Sequence, residues 1–171
     1  MAGLKRIQGI YTKSPSGSSR VTITRPDNTD AYAAGDVFGT NPASNIEFEN
    51  VLPEAGQHFY IVDAKIEVIL AAVPTNMSTF TLHLFDSAPT AIADNAAWTL
   101  LEADASKYLG SIVFTLPVDL GGALIMWEKE INIKRKLAAN STSLYAQLET
   151  DGNYTPTSEE VINIQLETIT A

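Results

Sequence analysis

Few side chains in this sequence have the types and spacing that catalysis or metal binding needs. The 171 residues include two histidines, His58 and His83, which lie in separate segments and form no His-x-His pair. Cysteine is absent, which removes disulfides, zinc–thiolate centres and thiol nucleophiles. Asp27, Asn28 and Asp30 bring three oxygen-bearing side chains together, but their spacing departs from the EF-hand pattern, and Asx residues are ordinary turn formers. Glu47 and Glu49 alternate onto one outer face, whereas a glycosidase pair faces across a cleft from different strands. A glycine-rich phosphate loop and a nucleophile elbow are also missing. The expectation is a protein without catalytic residues, metal or cofactor, which is not an enzyme and works through its surfaces.

The elements that carry these residues alternate apolar and polar side chains with a period of two. This holds over 20–24 (Val21, Ile23), 45–50 (Ile46, Phe48) and 79–85 (Phe80, Leu82, Leu84). It recurs over 131–137 (Ile131, Ile133), 143–149 (Leu144, Ala146, Leu148) and 161–169 (Ile162, Ile164, Leu166). In 59–71, Val62, Ala64, Ile66, Val68 and Leu70 are assigned to one face, with Asp63, Lys65 and Glu67 opposite. A further strand is read over 111–116. Such alternation marks antiparallel strands with one face on a core and one in water.

Proline, glycine and asparagine punctuate the connections, so the fold class is all-β. The expected architecture is a two-sheet antiparallel β-sandwich, jelly-roll-like. One segment departs from alternation. Thr99 and Glu102 have capping-box spacing, Leu101, Ala105 and Tyr108 share a helical stripe, and Gly110 can stop it. This predicts one short helix near 99–109. His83 points away from Leu82 and Leu84 and is expected at the surface. The charged stretches 127–130 and 134–136 are read as neighbouring segments whose Glu128 and Glu130 pair across strands with Lys134 and Lys136.

Net charge is −9, unevenly spread. The first 25 residues hold Lys5, Arg6, Lys13, Arg20 and Arg25 and no acid, while the remainder carries six basic and twenty acidic side chains. An acidic body disfavours nucleic acid. No apolar run reaches membrane-spanning length, and the start lacks a signal-peptide core. Ser-Pro-Ser-Gly-Ser-Ser at 14–19 reads as a linker, giving a flexible basic arm, 1–19, and a sandwich domain, 20–171.

The stretch VTITRPDNTDAYAAGDVFG (21–39) begins as a strand that Pro26 ends, since proline cannot donate to a ladder. Asn28 and Thr29 suit a turn, and Tyr32 is expected to place its ring in the sandwich end with a wet hydroxyl. Gly35-Asp36 turns the chain before Val37 and Phe38 re-enter the core. This stretch, together with DNAAWTLLEADASKYLGSIVF (94–114), resembles head proteins of tailed bacteriophages, specifically virion structural proteins of the head decoration or cement type.

The resemblance implies a protein made in the host cytoplasm and carried on the exterior of the phage head. Its implied partners are the major capsid protein and copies of itself, as a dimer or trimer, with no direct contact with nucleic acid or membrane. No binding motif is carried over with it. Lys5, Arg6, Tyr11, Lys13 and Arg20 are the expected capsid-binding residues because they form the basic arm. Two alternatives remain open. One is a tail or baseplate component of the same virion. The other is a carbohydrate-binding jelly roll using Tyr60, Trp98, Trp127, Tyr145 or Tyr154.

Overall fold

The computed structural model describes residues 16–171, so Lys5, Arg6, Tyr11 and Lys13 lie outside the described residues. The described residues form ten strands in order: β1 (Ser16–Thr24), β2 (Asp36–Phe38), β3 (Ile46–Phe48), β4 (His58–Val68), β5 (Phe80–Phe85), β6 (Tyr108–Phe114), β7 (Val118–Asp119), β8 (Ile125–Lys136), β9 (Leu144–Thr150) and β10 (Val161–Thr170). One sheet runs β1-β10-β4-β8-β7, and the other runs β2-β9-β5-β6, with β3 also pairing with β9.

All ladders are antiparallel, and their partners are nested. β1 takes β10, β2 and β3 take β9, β4 takes β8, and β5 takes β6. This is one long hairpin wrapped around a core, the two-sheet jelly roll.

Alternation explains the core. Phe48, Phe59, Phe80 and Phe114 are buried between the sheets with Leu82, Leu84, Leu144, Leu148, Ile162 and Ile164. Burying each phenylalanine contributes about 1.5–3 kcal/mol. Trp127 packs edge-on to Phe80 at 5.1 Å, and its indole N–H donates to the Ser78 carbonyl at 2.9 Å, so its polar atom is satisfied.

The structure corrects several expectations. Ser16–Ser19, expected in the linker, is strand: Ser16 opposes Ile169 and Ser19 opposes Leu166. Small hydroxylated residues suit a loop by composition, but here an existing ladder recruits them. In β4 the alternation slips at a bulge between Ile61 and Asp63, so Phe59 and Ile61 face the core before the bulge and Ala64, Ile66 and Val68 after it. Val62 therefore leaves the apolar face assigned to it.

Residues 125–136 form one continuous strand, because the single Asn132 between Ile131 and Ile133 does not turn the chain. Glu128 thus meets Lys65 of β4 at 3.6 Å rather than a lysine of its own strand. The expected helix is shorter and tighter, a 3-10 helix over Glu102–Lys107 whose N-cap is Leu101, with no side-chain capping bond. Gly110, at φ 109°, lies inside β6 beside an irregularity in its pairing with β5, and it does not stop a helix.

Candidate functional site

β1 ends where Arg25 turns inward ahead of Pro26. Its guanidinium is fully buried and donates from Nη2 to Asp94 Oδ2 at 2.9 Å. It also donates to the Asn28 carbonyl at 2.5 Å, to Asn28 Oδ1 at 2.9 Å and to the Tyr32 hydroxyl at 3.2 Å. Asp94 is equally enclosed. Its Oδ1 accepts the Tyr32 hydroxyl at 2.5 Å and the Gly39 N–H at 3.1 Å. The Tyr32 hydroxyl is therefore dry and bonded, not wet as the sequence implied.

Burial opposes the Arg25 charge, but Tyr32 and Asp94 outweigh it, so its pKa lies above the ordinary value. Burial, and then the Asp94 bond, push Tyr32 strongly upward. A buried ion pair is tolerated only when the remaining donors and acceptors are filled, and here they are.

Backbone bonds extend this clamp. Val37 N–H donates to the Ala96 carbonyl at 2.9 Å, Asn95 N–H to Val37 at 3.0 Å, and Trp98 N–H to Gly35 at 2.7 Å. Asp36 forms an isolated bridge with Ala97. Residues 24–39 and 94–98 thus form one interlocked unit. Beside it, the Tyr154 ring packs tilted against Tyr32 with centres 5.2 Å apart and donates through its hydroxyl to the buried Glu160, whose carboxyl is shifted upward by burial.

From that clamp the chain crosses the outer face of the second sheet as a strap, residues 86–107. Trp98 stacks on His83 with ring centres 3.6 Å apart and planes 9° from parallel, and it donates to Gln147 at 3.0 Å. His83 faces outward as expected, yet it is 5% exposed because the strap covers it. Its Nε2 meets Glu149 at 2.7 Å, and its Nδ1 meets the Tyr108 hydroxyl at 3.1 Å. Burial lowers the His83 pKa, and the Glu149 bond and charge oppose that shift. Asp104 braces the strap internally by accepting from Lys107 and from the Thr90 N–H. These bonds, Lys107 first, hold its pKa down at about 2.

The aromatic side chains considered for sugar stacking do not form an open platform. Trp127 and Tyr154 are core, and Trp98 covers His83. Tyr60 lies under Lys134, and Tyr145 donates to Glu47. Among the described residues no group of three or more His, Asp or Glu is placed to hold a metal ion. In the same residues no helix is long and apolar enough to cross a membrane.

Of the expected binding residues, Arg20 alone is described. It projects from the outer face of β1, half exposed, and pairs with Glu67 at 2.5 Å. The basic start therefore divides: Arg25 is neutralised inside, Arg20 is paired outside, and Lys5, Arg6 and Lys13 carry the rest. Sequence reasoning missed Arg25 and Asp94 as partners. The available signal was an arginine directly before a proline turn, a position where a solvated cation has no evident use.

No family model matches the chain, and no curated protein matches it. Solved structures to which it is similar include that of Desmodium yellow mottle tymovirus, at 11% identity over 92% of this chain and 88% of that one, TM-score 0.28. Another is the acidic stable capsid of Helicobacter pylori bacteriophage KHP30, at 14% identity over 91% and 88%, TM-score 0.32. A third is the heated full particle of Israeli acute paralysis virus, at 9% identity over 100% and 77%, TM-score 0.37. The fold assignment rests on the strand ladders themselves.

Proposed function

We propose that this chain is a structural protein of a phage virion, a decoration or cement component that binds the outside of the head and stabilises the shell. The observation that carries this reading is the clamp. The two stretches that resemble such head proteins, 21–39 and 94–114, are far apart in sequence, yet they interlock through Arg25, Tyr32 and Asp94. A shared motif that builds one unit has a common structural purpose, which scattered similarity would lack.

A jelly roll suits this role, since it is an architecture of viral capsid and lectin domains. The lectin alternative loses its basis because the candidate aromatics are packed or covered. The body is stiff, and its polar groups at the clamp serve cohesion, so adhesion falls to the faces and to residues 1–15. Lys5, Arg6, Tyr11 and Lys13 contact the major capsid protein, with Arg20 at the root of the arm. Many weak contacts on a symmetric lattice, made by an oligomer, multiply through effective concentration.

The test is co-sedimentation of purified protein with phage shells lacking it, beside tails and baseplates from the same particles. Saturable binding to shells is expected, falling at least tenfold when Lys5, Arg6 and Lys13 are all replaced by alanine. Binding to tails alone, or unchanged shell binding by the triple variant, overturns the reading.

A further inference from the structure

The outer face of the first sheet carries an unusual line of charge. Glu167 of β10 is directly opposite Asp63 of β4, and Asp63 is directly opposite Glu130 of β8. Like charges opposed on neighbouring strands repel. The cations nearby are committed elsewhere: Lys65 pairs with Glu128, Arg20 with Glu67, and Lys134 lies over the Tyr60 ring. Glu167, Asp63 and Glu130 have no ion-pair partner among the described residues. Asp63 is half-buried, and its carboxyl is pushed upward by burial first and then by Glu128 and Glu167.

Two further features lie at the same place. Ser16, where the described chain begins, is opposite Ile169, and Ser18 is opposite Glu167, so the first described residue sits two positions from the start of the acidic line. A cleft of about 220 Å³ opens there, lined by Gly17, Ser18, Val62, Glu167, Thr168 and Ile169. The bulge at Val62 of β4 shapes it, shifting the register against β10 between Glu167 and Thr168.

Residues 1–15 contain Lys5, Arg6 and Lys13, no acid, and the apolar side chains Leu4, Ile7, Ile10 and Tyr11. Three cations thus stand against three unpaired carboxylates, with apolar groups available for the cleft walls of Val62 and Ile169. Fifteen extended residues reach up to about 50 Å, whereas β1 to β8 spans about 15 Å at ~4.8 Å per strand. A short tether also places the segment at roughly millimolar effective concentration over its own sheet, which favours it over a second copy.

We infer that residues 4–13 of the same chain dock across this face, with their cations on the Glu167–Asp63–Glu130 line and an apolar side chain in the adjoining cleft. This rests on the reading of residues 1–15 as an arm and adds its resting place. A shell must then draw the arm off its own body, so binding to shells exchanges one set of carboxylates for another.

The test is carbodiimide coupling of the free full chain at low salt, with no shells present, followed by mass spectrometry of lysine–carboxylate links. An equal mixture of nitrogen-15-labelled and unlabelled protein separates links within a copy from links between copies. Same-isotope links from Lys5 or Lys13 to Glu167, Asp63 or Glu130 are expected. The assay is repeated on the Asp63→Asn, Glu130→Gln, Glu167→Gln variant, its fold checked by circular dichroism; links from these lysines to the remaining carboxylates of this face should fall at least fivefold. Absence of the links in the native chain, undiminished links in the variant, or links found equally in mixed-isotope pairs each overturn the inference. Because no shell is present, failure here leaves the co-sedimentation result standing, and failure of co-sedimentation leaves this one standing.

Discussion

Arg25 and Asp94 are shut inside the end of the sandwich, with their bonding groups met by Tyr32, Asn28 and Gly39. Glu167, Asp63 and Glu130 stand on the outer face of a sheet, in line, with no ion-pair partner among the described residues. The interior site has opposite charges in a dry environment, and the outer one has like charges beside water. Desolvation makes the first intolerant of any change, while solvent screening makes the second adjustable. Cohesion belongs to the buried site and exchangeable contact to the exposed one.

The largest expected effect follows from breaking the buried pair. Asp94→Ala leaves the guanidinium uncompensated and should cost about 3–5 kcal/mol in a urea unfolding midpoint series. A loss below about 1 kcal/mol would erase the contrast. Tyr32→Phe keeps the ring but removes the hydroxyl that joins Arg25 to Asp94, and should cost about 1–3 kcal/mol by the same measurement.

His83 gives a pH-dependent intermediate case. Its folded pKa lies below the ordinary value because burial outweighs Glu149. The unfolded chain therefore takes up the proton first, near the reference value of about 6.5. Stability is full above that pH and falls as pH drops toward the folded pKa. Thermal midpoints measured from pH 7.5 to 5 should show this acid limb in the native chain, and a much flatter one in His83→Gln.

The smallest effect belongs to the outer face. Asp63→Asn should stabilise by about 0.2–1 kcal/mol in the Lys5→Ala, Arg6→Ala, Lys13→Ala background, and by less in the native chain. Salt at about 0.5 M should diminish the difference between backgrounds. Equal gains in both would show that the arm and the acidic line are energetically independent.

Much of the sandwich was legible in sequence because alternation with period two is a direct imprint of a half-buried strand. Val21 and Ile23, Leu82 and Leu84, and Ile162 and Ile164 read directly. The slip at Val62 did not, since a bulge changes which face a residue occupies without changing its type. The strap misled for a related reason. Thr99 and Glu102 have the spacing of a helix start, but the Trp98 bond to Gln147 holds that segment against the sheet and Asp104 ties it to Thr90 within the strap, leaving only a 3-10 turn. His83 was misplaced because an outward position on a strand implies exposure only when nothing crosses over it. The clamp escaped detection because Arg25 and Asp94 come from distant segments, and nothing local announces which carboxylate a buried guanidinium will meet.

The nested ladders have a consequence for synthesis. None of β1 to β5 pairs with another member of that group; each waits for β6, β8, β9 or β10. At roughly 5–20 residues per second, translation of the later half takes several seconds, during which the earlier strands have no backbone partner of their own. A product truncated after Phe85 would present open edges only, a substrate for holdase chaperones or proteolysis. The last strand to emerge, β10, inserts between β1 and β4 and completes the first sheet in a single late step.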